Sequence, residues 1–363
     1  MMRRMREKDP RKSVMRRLVT VAACGVVAMV VPLSGCQLSD SPPRRGGLWV
    51  NPDGPAARHV REREEGKNGS EHENKSRDAA LIDRIARQPV AEWLGPQPPR
   101  ERVRSITESA ARTGTTPVLV AYNIPHRDCG GHSAGGAANG AAYRRWIEQV
   151  ALGIGDRKAL VVLEPDAVAQ VVDRCVPRRV VGPRLALLRD AVAAFAALPR
   201  VRVYLDAGHA GWIKNPARLM VPLLKSGIEQ ADGFSLNVAN FQRTGRTKRY
   251  GHRLSRAVGG AHFVIDTSRN GNGPLRRRGA TRHGVRSAEA WCNPPGRALG
   301  EPPSTHTGDR LVDAYLWIKR PGESDGTCNG GPPAGRWWPE YALGLARNAH
   351  GPGHRHPHGP GRH

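Results

Sequence analysis

Short apolar runs rich in β-branched residues recur along the chain at Pro117–Tyr122, Ala159–Leu163, Val201–Leu205, Gly233–Val238, His262–Ile265 and Ala314–Ile318. Amphipathic or alanine-rich stretches separate several of them, notably Tyr143–Ile154, Leu185–Ala197 and Pro216–Gln230. Strand-length runs alternating with helix-length ones predict βα units around a parallel sheet. The runs are mostly apolar on both sides, as strands covered on both faces are. Upstream, Leu81, Ile82 and Ile85 share one helical stripe within Asp78–Ala86, with Asp78 placed as N-cap. Residues 61–77 are dense in charge without apolar spacing and predict a solvated loop or helix edge.

Each apolar run gives way to polar residues. The first leads into Arg127-Asp128-Cys129 and the second into Glu164-Pro165-Asp166. The third is succeeded by Asp206-Ala207-Gly208-His209, and the fourth ends at Asn237 and Asn240. Asp266-Thr267-Ser268-Arg269-Asn270 comes after the fifth, and Lys319, Glu323 and Asp325 come after the sixth. Asp, Asn and Gly after strands also serve as ordinary turn and capping residues. Six polar ends in succession, with Trp212, Trp291 and Trp317 nearby, point instead to a site on the carboxyl-end face of an α/β barrel.

The N-terminal segment is an address. Residues 1–17 carry eight basic and two acidic side chains, Leu18–Val31 is uncharged and mostly apolar, and Pro32-Leu33-Ser34-Gly35-Cys36 comes next. A charged region, a short apolar region and small residues at the exit are expected of an export signal over 1–35. Leu33-Ser34-Gly35-Cys36 resembles a bacterial lipobox, which would make Cys36 a lipidated N-terminus, and Arg16-Arg17 raises the twin-arginine route. The expected protein is thus exported, as a cell-surface lipoprotein or in secreted form. Beyond the signal, no run approaches the ~20 apolar residues of a membrane span, which excludes a polytopic membrane protein. Residues 36–47 read as a polar tether, and 349–363, built almost wholly of Gly, Pro, His and Arg, as a disordered tail.

Charge and cysteines refine this reading. The chain of 363 residues has 57 Lys and Arg against 32 Asp and Glu, net +25, and loss of residues 1–35 would leave +19. Such a surface favours anionic partners. No nucleic-acid module is recognisable, and an exported chain seldom meets nucleic acid as a substrate. Cys129, Cys175, Cys292 and Cys328 remain after the signal and Cys36; an even count in an oxidising compartment predicts two disulfides, with three pairings open. The alternative zinc site has only Cys129-Gly-Gly-His132 behind it.

Converging carboxylates without His- or Cys-rich ligand spacing suit acid–base work on an uncharged substrate. Glycoside hydrolysis needs one protonated carboxyl to release the leaving oxygen and one ionised carboxylate to activate water or attack the sugar. A neighbouring carboxylate raises the pKa of the acid, and Trp faces suit the apolar faces of sugars. The competing reading takes Asp128, Asp166, Asp206 and Asp266 as oxygen ligands for a hard cation.

The residues that carry a resemblance are Val120-Ala121-Tyr122-Asn123-Ile124-Pro125-His126-Arg127-Asp128-Cys129-Gly130 with Ser133-Ala134-Gly135-Gly136, and Val161-Val162-Leu163-Glu164-Pro165-Asp166-Ala167. With them stand Tyr204–Trp212, Asp266–Gly271, Trp291-Cys292-Asn293-Pro294 and Trp317–Gly326. Together, in this order, they resemble glycoside hydrolase family 6 over about residues 48–348. The resemblance implies a distorted, incomplete TIM-like barrel that hydrolyses β-1,4-glucan with inversion, as endoglucanase or cellobiohydrolase, with no cofactor or metal and as a monomer. It implies Asp166 as general acid, Asp128 as the group that keeps its pKa up, and Tyr122 pressing on a distorted sugar. Asp325 is the implied base, with Ser133 in an alternative water chain, and Arg127 and Asp206 are supporting residues. Sugar contacts are implied for His209, Trp212, Asn237, Asn240, Trp291, Lys319 and Glu323, and disulfides for Cys129–Cys175 and Cys292–Cys328. Three departures stand out: Val168 in place of Leu or Ile, a long Arg-rich stretch Leu275–Ala290, and no Trp around Ala57-Arg58-His59 where a distal glucose is commonly held. A silent glycan-binding protein is the reading from another class; the full set of carboxylates weighs against it.

Overall fold

Seven parallel strands succeed one another in chain order among the described residues: β1 (Glu92–Leu94), β2 (Val118–Ala121), β3 (Ala159–Leu163), β4 (Val201–Asp206), β5 (Gly233–Leu236), β6 (His262–Asp266) and β7 (Val312–Leu316). Each pairs with the next in the sequence. The sheet curls until its ends meet at one parallel bridge, Val90 to Trp317, where the Ala91 amide donates to the Trp317 carbonyl at 3.0 Å. The result is the incomplete barrel expected from the sequence. The structure is a computed structural model and describes residues 47–65, 72–276 and 289–349. The expected signal, Cys36, nearly all of the tether, most of the Arg-rich stretch 275–290 and the tail from 350 onward lie outside the described residues.

Strand side chains divide between two layers, as the two-residue period of a strand requires. Val118, Val120, Leu160, Val162, Tyr204, Val264 and Ala314 fill the barrel interior. Leu119, Ala121, Val161, Leu163, Val203 and Leu205 point outward into the larger cluster under the helices. A third cluster, with Ile82, Ile85, Trp317, Leu343 and Leu345, seals the seam.

The helices are α1 (Pro55–Glu65), α2 (His72–Ala86), α3 (Arg100–Arg112), α4 (Gly140–Ile154), α5 (Ala167–Asp173), α6 (Arg178–Ala196), α7 (Met220–Lys225), α8 (Thr244–Ala257) and α9 (Pro339–Asn348). α4 begins where Asn139 accepts the Ala142 amide, which satisfies one of the donors that a first turn leaves free.

Several expectations change. β1 has no counterpart among the apolar runs, because three residues that include Glu92 carry no pattern. The charge-dense residues 61–77 belong largely to α1 and α2, and α2 starts six residues before Asp78, so Asp78 is not an N-cap but a mid-helix partner of Arg347. Pro216–Gln230 is not one helix: a 3-10 turn at Pro216–Leu219 leads into the six-residue α7, and Gly227 lies just beyond at φ 83°.

Candidate active site

A cleft of about 770 Å³ opens at the carboxyl ends of the strands. Tyr122, Arg127, Asp128, Ser133, Asp166, His209, Trp212, Asn240, Trp291, Lys319, Glu323 and Asp325 all line it, as expected, and so do Trp93 and His132. The loops that present them are strained. Asp128, Glu164, Asp166, Asn237, Ala239 and Asn293 have φ between 45° and 70°, a left-handed region that costs non-glycine residues on the order of 1 kcal/mol or more each and concentrates at functional sites. Gly136, at φ 101°, lets the loop fold back onto β2, because a Cβ there would meet the Ile124 carbonyl oxygen at 1.9 Å. This accounts for the Gly-Gly at the end of the first motif.

The acids seen in the sequence fall into two tiers. Glu164, Asp206 and Asp266 are fully buried and bind backbone. Glu164 accepts the amides of Asn123 and Ile124, at 2.9 and 3.0 Å, from the loop after β2. Asp206 accepts the amide of Asp166 at 2.8 Å, the amide of Gly208 at 3.0 Å and the Ser235 hydroxyl at 2.9 Å. Asp266 accepts the amides of Ala239, Ser268 and Lys319 at 2.9–3.0 Å. Each carboxylate therefore ties its own strand end to a neighbouring loop. Burial pushes Glu164 up to about 7 and Asp206 up to about 6 against the pull of these donors, and it also raises Asp266.

The second tier faces the cleft. Asp166 starts α5, and its carboxyl is raised well above the usual range, first by burial and then by Asp206 and Asp128. Asp128 Oδ2 accepts the Ser133 amide at 2.6 Å. The Arg127 guanidinium lies 4.7 Å from the Tyr122 ring centre and donates to the carbonyls of Tyr122 and Ser133. Trp93 stands edge-on to Tyr122 with centroids 5.3 Å apart, and its indole donates to the Ile318 carbonyl.

Asp325 sits in a different field. Arg269 Nη1 is 2.8 Å from its Oδ2, Lys319 Nζ is 3.4 Å from its Oδ1, and the Asn293 amide donates at 3.0 Å. Burial disfavours its charge, but Arg269 and Lys319 outweigh that and hold the carboxyl below the usual range. His209 is pushed down to about 4 by burial and by Arg246. Its Nδ1 accepts the Gly211 amide at 3.2 Å, which places the proton of the neutral ring on Nε2 as a donor.

One expected site residue is corrected. Asn237 does not line the cleft: its side chain is buried, donates to the carbonyls of Gln242 and Asp266, and accepts the Gln242 amide, so it shapes the loop that presents Asn240. Trp93 of β1, which no apolar run of the sequence pointed to, also lines the cleft. The cation reading loses its ligands: amides occupy the carboxylates of Asp206 and Asp266. The zinc reading fails because Cys129 is bonded to Cys175 and Cys292 to Cys328. Among the described residues the one His/Cys group, His132 with Cys292 and Cys328, is built on that second disulfide and has no free thiolate.

Beneath the cleft Glu164 is joined by a buried partner, Arg184, that had no sequence signal. Arg184 of α6 donates from Nη2 to the carbonyls of Pro125 and His126, at 3.1 and 2.7 Å, and from Nη1 to Gln170 Oε1 at 2.8 Å. Glu164 grips the amides of residues 123 and 124, and Arg184 the carbonyls of 125 and 126. The stretch between Tyr122 and Arg127 is thereby bound to the end of β3 and to α6, with Gln170 of α5 in the same network. The Cys129–Cys175 disulfide joins the loop after β2 to the connection between α5 and α6.

Similarity to known proteins agrees with this geometry. The model of the family described as glycosyl hydrolases family 6 matches residues 45–349. Endoglucanase A of Cellulomonas fimi is 46% identical over 276 residues, which span 75% of this chain and 57% of that protein. Endoglucanase A of Thermobispora bispora is 37% identical over 341 residues, 91% of this chain and 68% of that one. Among solved structures, the endoglucanase Cel6 of Mycobacterium tuberculosis, in complex with methyl-cellobiosyl-4-deoxy-4-thio-β-D-cellobioside, superposes with a TM-score of 0.74 at 40% identity, over 85% of this chain and 98% of that one. With the barrel, the ordered motifs and the family match in agreement, the chain belongs to glycosyl hydrolases family 6 and is a glycosidase.

Proposed function

We propose that the enzyme cleaves internal β-1,4 bonds of a glucan with inversion at the anomeric carbon, with Asp166 as general acid. The observation that carries this reading is a carboxyl whose proton affinity burial, Asp206 and Asp128 raise well above the usual range, on the wall of a cleft flanked by Trp93, Trp212 and Trp291. Asp166 gives its proton to the leaving oxygen. Asp128 and Asp206 keep that proton in place beforehand, and the Asp128 carboxylate balances the positive charge that grows on the sugar. Tyr122, backed by Trp93 and Arg127, presses on the sugar ring at the cleavage point. His209 Nε2, Asn240, Lys319 and Glu323 bond hydroxyls, and the Trp faces stack on sugar rings. Cleavage within chains is supported by the names of relatives at 35–46% identity.

A general base works best with a pKa near the working pH. Asp325, held below the usual carboxylate range by Arg269 and Lys319, is poorly matched to that role. It orders the attacking water, and the water's proton passes through Ser133 towards Asp128, whose Oδ2 the Ser133 amide already holds. The Asp166→Ala variant tests the central assignment: turnover of soluble β-glucan, measured by viscosity and reducing ends, falls about 10²–10⁴-fold while glucan binding persists. Turnover near wild type would overturn it. NMR of fresh product should show the α-anomer first. The sequence before residue 47 supports export and tethering through Cys36, which favours surface glucan as the substrate. Cys36→Ser then abolishes lipidation, and recovery of wild-type protein in the medium with an unmodified N-terminus would remove the tether.

A further inference from the structure

α8 carries a second feature that the reaction does not use. On its outer side lies a shallow groove of about 600 Å³ lined by Gly245, Lys248, Arg249, His252, Arg253, Arg256 and Asp309, none of which lines the cleft. The helix TGRTKRYGHRLSRA contains no acid, and Thr247, Tyr250, Gly251, Leu254 and Ser255 are its buried side. The basic residues therefore form one outward stripe at helical spacing. The single acid of the groove, Asp309, is already taken by Lys248 at 3.0 Å and His252 at 3.0 Å. Arg249, Arg253 and Arg256 are exposed and have no acidic partner among the described residues.

The shape and chemistry of the groove select among anionic partners. Arg253 comes four positions after Arg249 and Arg256 three after Arg253, so the guanidinium stems advance by about 6 and 4.5 Å along the helix. Guanidinium forks match phosphate oxygens two at a time. A flat lipid surface needs apolar side chains to insert, yet none of the exposed large apolar side chains among the described residues, Leu152, Val221, Leu224 and Trp291, lines the groove. Single-stranded nucleic acid needs aromatic faces for its bases, and the one ring in the groove, His252, packs edge-on against Phe263.

We propose that this groove binds a strand of a phosphate-bearing polymer without bases, holding the enzyme on an anionic matrix while the cleft works on neutral glucan. The proposal is independent of the glucanase reading. The test uses the full chain, with inorganic polyphosphate as the probe, titrated across a series of KCl concentrations. Wild-type protein binds, with log K falling linearly in log salt. The Arg249→Gln/Arg253→Gln/Arg256→Gln variant, its melting temperature unchanged, binds more weakly, and its slope is reduced by about two, since each lost phosphate contact removes roughly 0.7–0.9. An unchanged affinity and slope in the triple variant overturns the proposal. So does tighter binding of single-stranded DNA of equal charge, or capture by phosphatidylglycerol vesicles that polyphosphate does not compete away.

Discussion

Asp206→Asn separates what the buried carboxylates do by charge from what they do by hydrogen bonding. Asp206 Oδ2 takes two amides, from Asp166 and Gly208, and Oδ1 takes the Ser235 hydroxyl. An Asn in the same place keeps every contact: its carbonyl oxygen serves the two amides, and its NH₂ donates to a Ser235 hydroxyl that has only to rotate. What disappears is one negative charge beside Asp166. As a scale, two unit charges ~5 Å apart at an effective dielectric near 20 repel by about 3 kcal/mol, about two pKa units. Part of that is relieved by water in an open cleft, so the alkaline limb of the kcat/KM profile should move towards acid by about 1–2 units. Activity on the acid side of the optimum should persist. Stability should move the other way. Asp206 is raised to about 6 in the folded chain against ~3.9 unfolded, so the folded state binds the extra proton between those values. Its stabilising contribution is full below pH ~4 and is lost as pH rises through about 6, a difference on the order of 2–3 kcal/mol. The Asn variant escapes that loss and should melt higher than wild type at pH 7 while matching it near pH 4. The two assays are a pH–rate profile on a soluble cello-oligosaccharide and thermal melts across the same pH range. An unmoved alkaline limb, or a variant that melts lower at pH 7, would refute the argument and make Asp206 a hydrogen-bond acceptor alone.

Arg184→Met should lower kcat more than it raises KM and move the alkaline limb acidward, because Asp128 is then free to recede from Asp166; Arg184→Lys should recover part of both, and a pure loss of stability with an unchanged profile would contradict the role. Azide should not restore turnover to Asp325→Ala if Asp325 only orders water; formation of a glycosyl azide would identify it as the base. Trp93→Ala should raise KM for cello-oligosaccharides by about tenfold or more, the factor that each 1.4 kcal/mol of lost binding carries, for loss of a sugar face and of the support behind Tyr122, and fluorescence titration of the ligand checks this. Mass spectrometry of unreduced peptides should recover Cys129 joined to Cys175 and Cys292 to Cys328.

The distance over which each signal acts along the chain decides whether the sequence reveals it. Strands β2 to β7 are visible because burial on both faces demands uninterrupted apolar runs. β1 is not, since Glu92 faces Asn51, Arg102 and Arg320 and three residues set no period. Carboxylates at strand ends are equally visible, but their division into tiers is not: Asp166 and Asp206 each stand at a strand end, and only the fold shows that one faces the cleft while the other faces the first one's amide. Asn237 and Asn240 differ in the same way, three residues apart, one beneath the loop and one on it. Arg184 lies in the middle of an amphipathic helix, where an arginine is ordinarily solvated, and nothing local distinguishes it from its exposed neighbours. Its burial depends on carbonyls 58 and 59 residues upstream. The groups proposed to do the chemistry are thus named by short motifs, whereas the groups that hold them in register are defined by contacts across the barrel, where sequence spacing carries no information. That asymmetry has a physical origin. A proton donor must have a particular functional group, while a loop clamp needs only a charge of the right sign at the right depth, which many positions on several helices could supply.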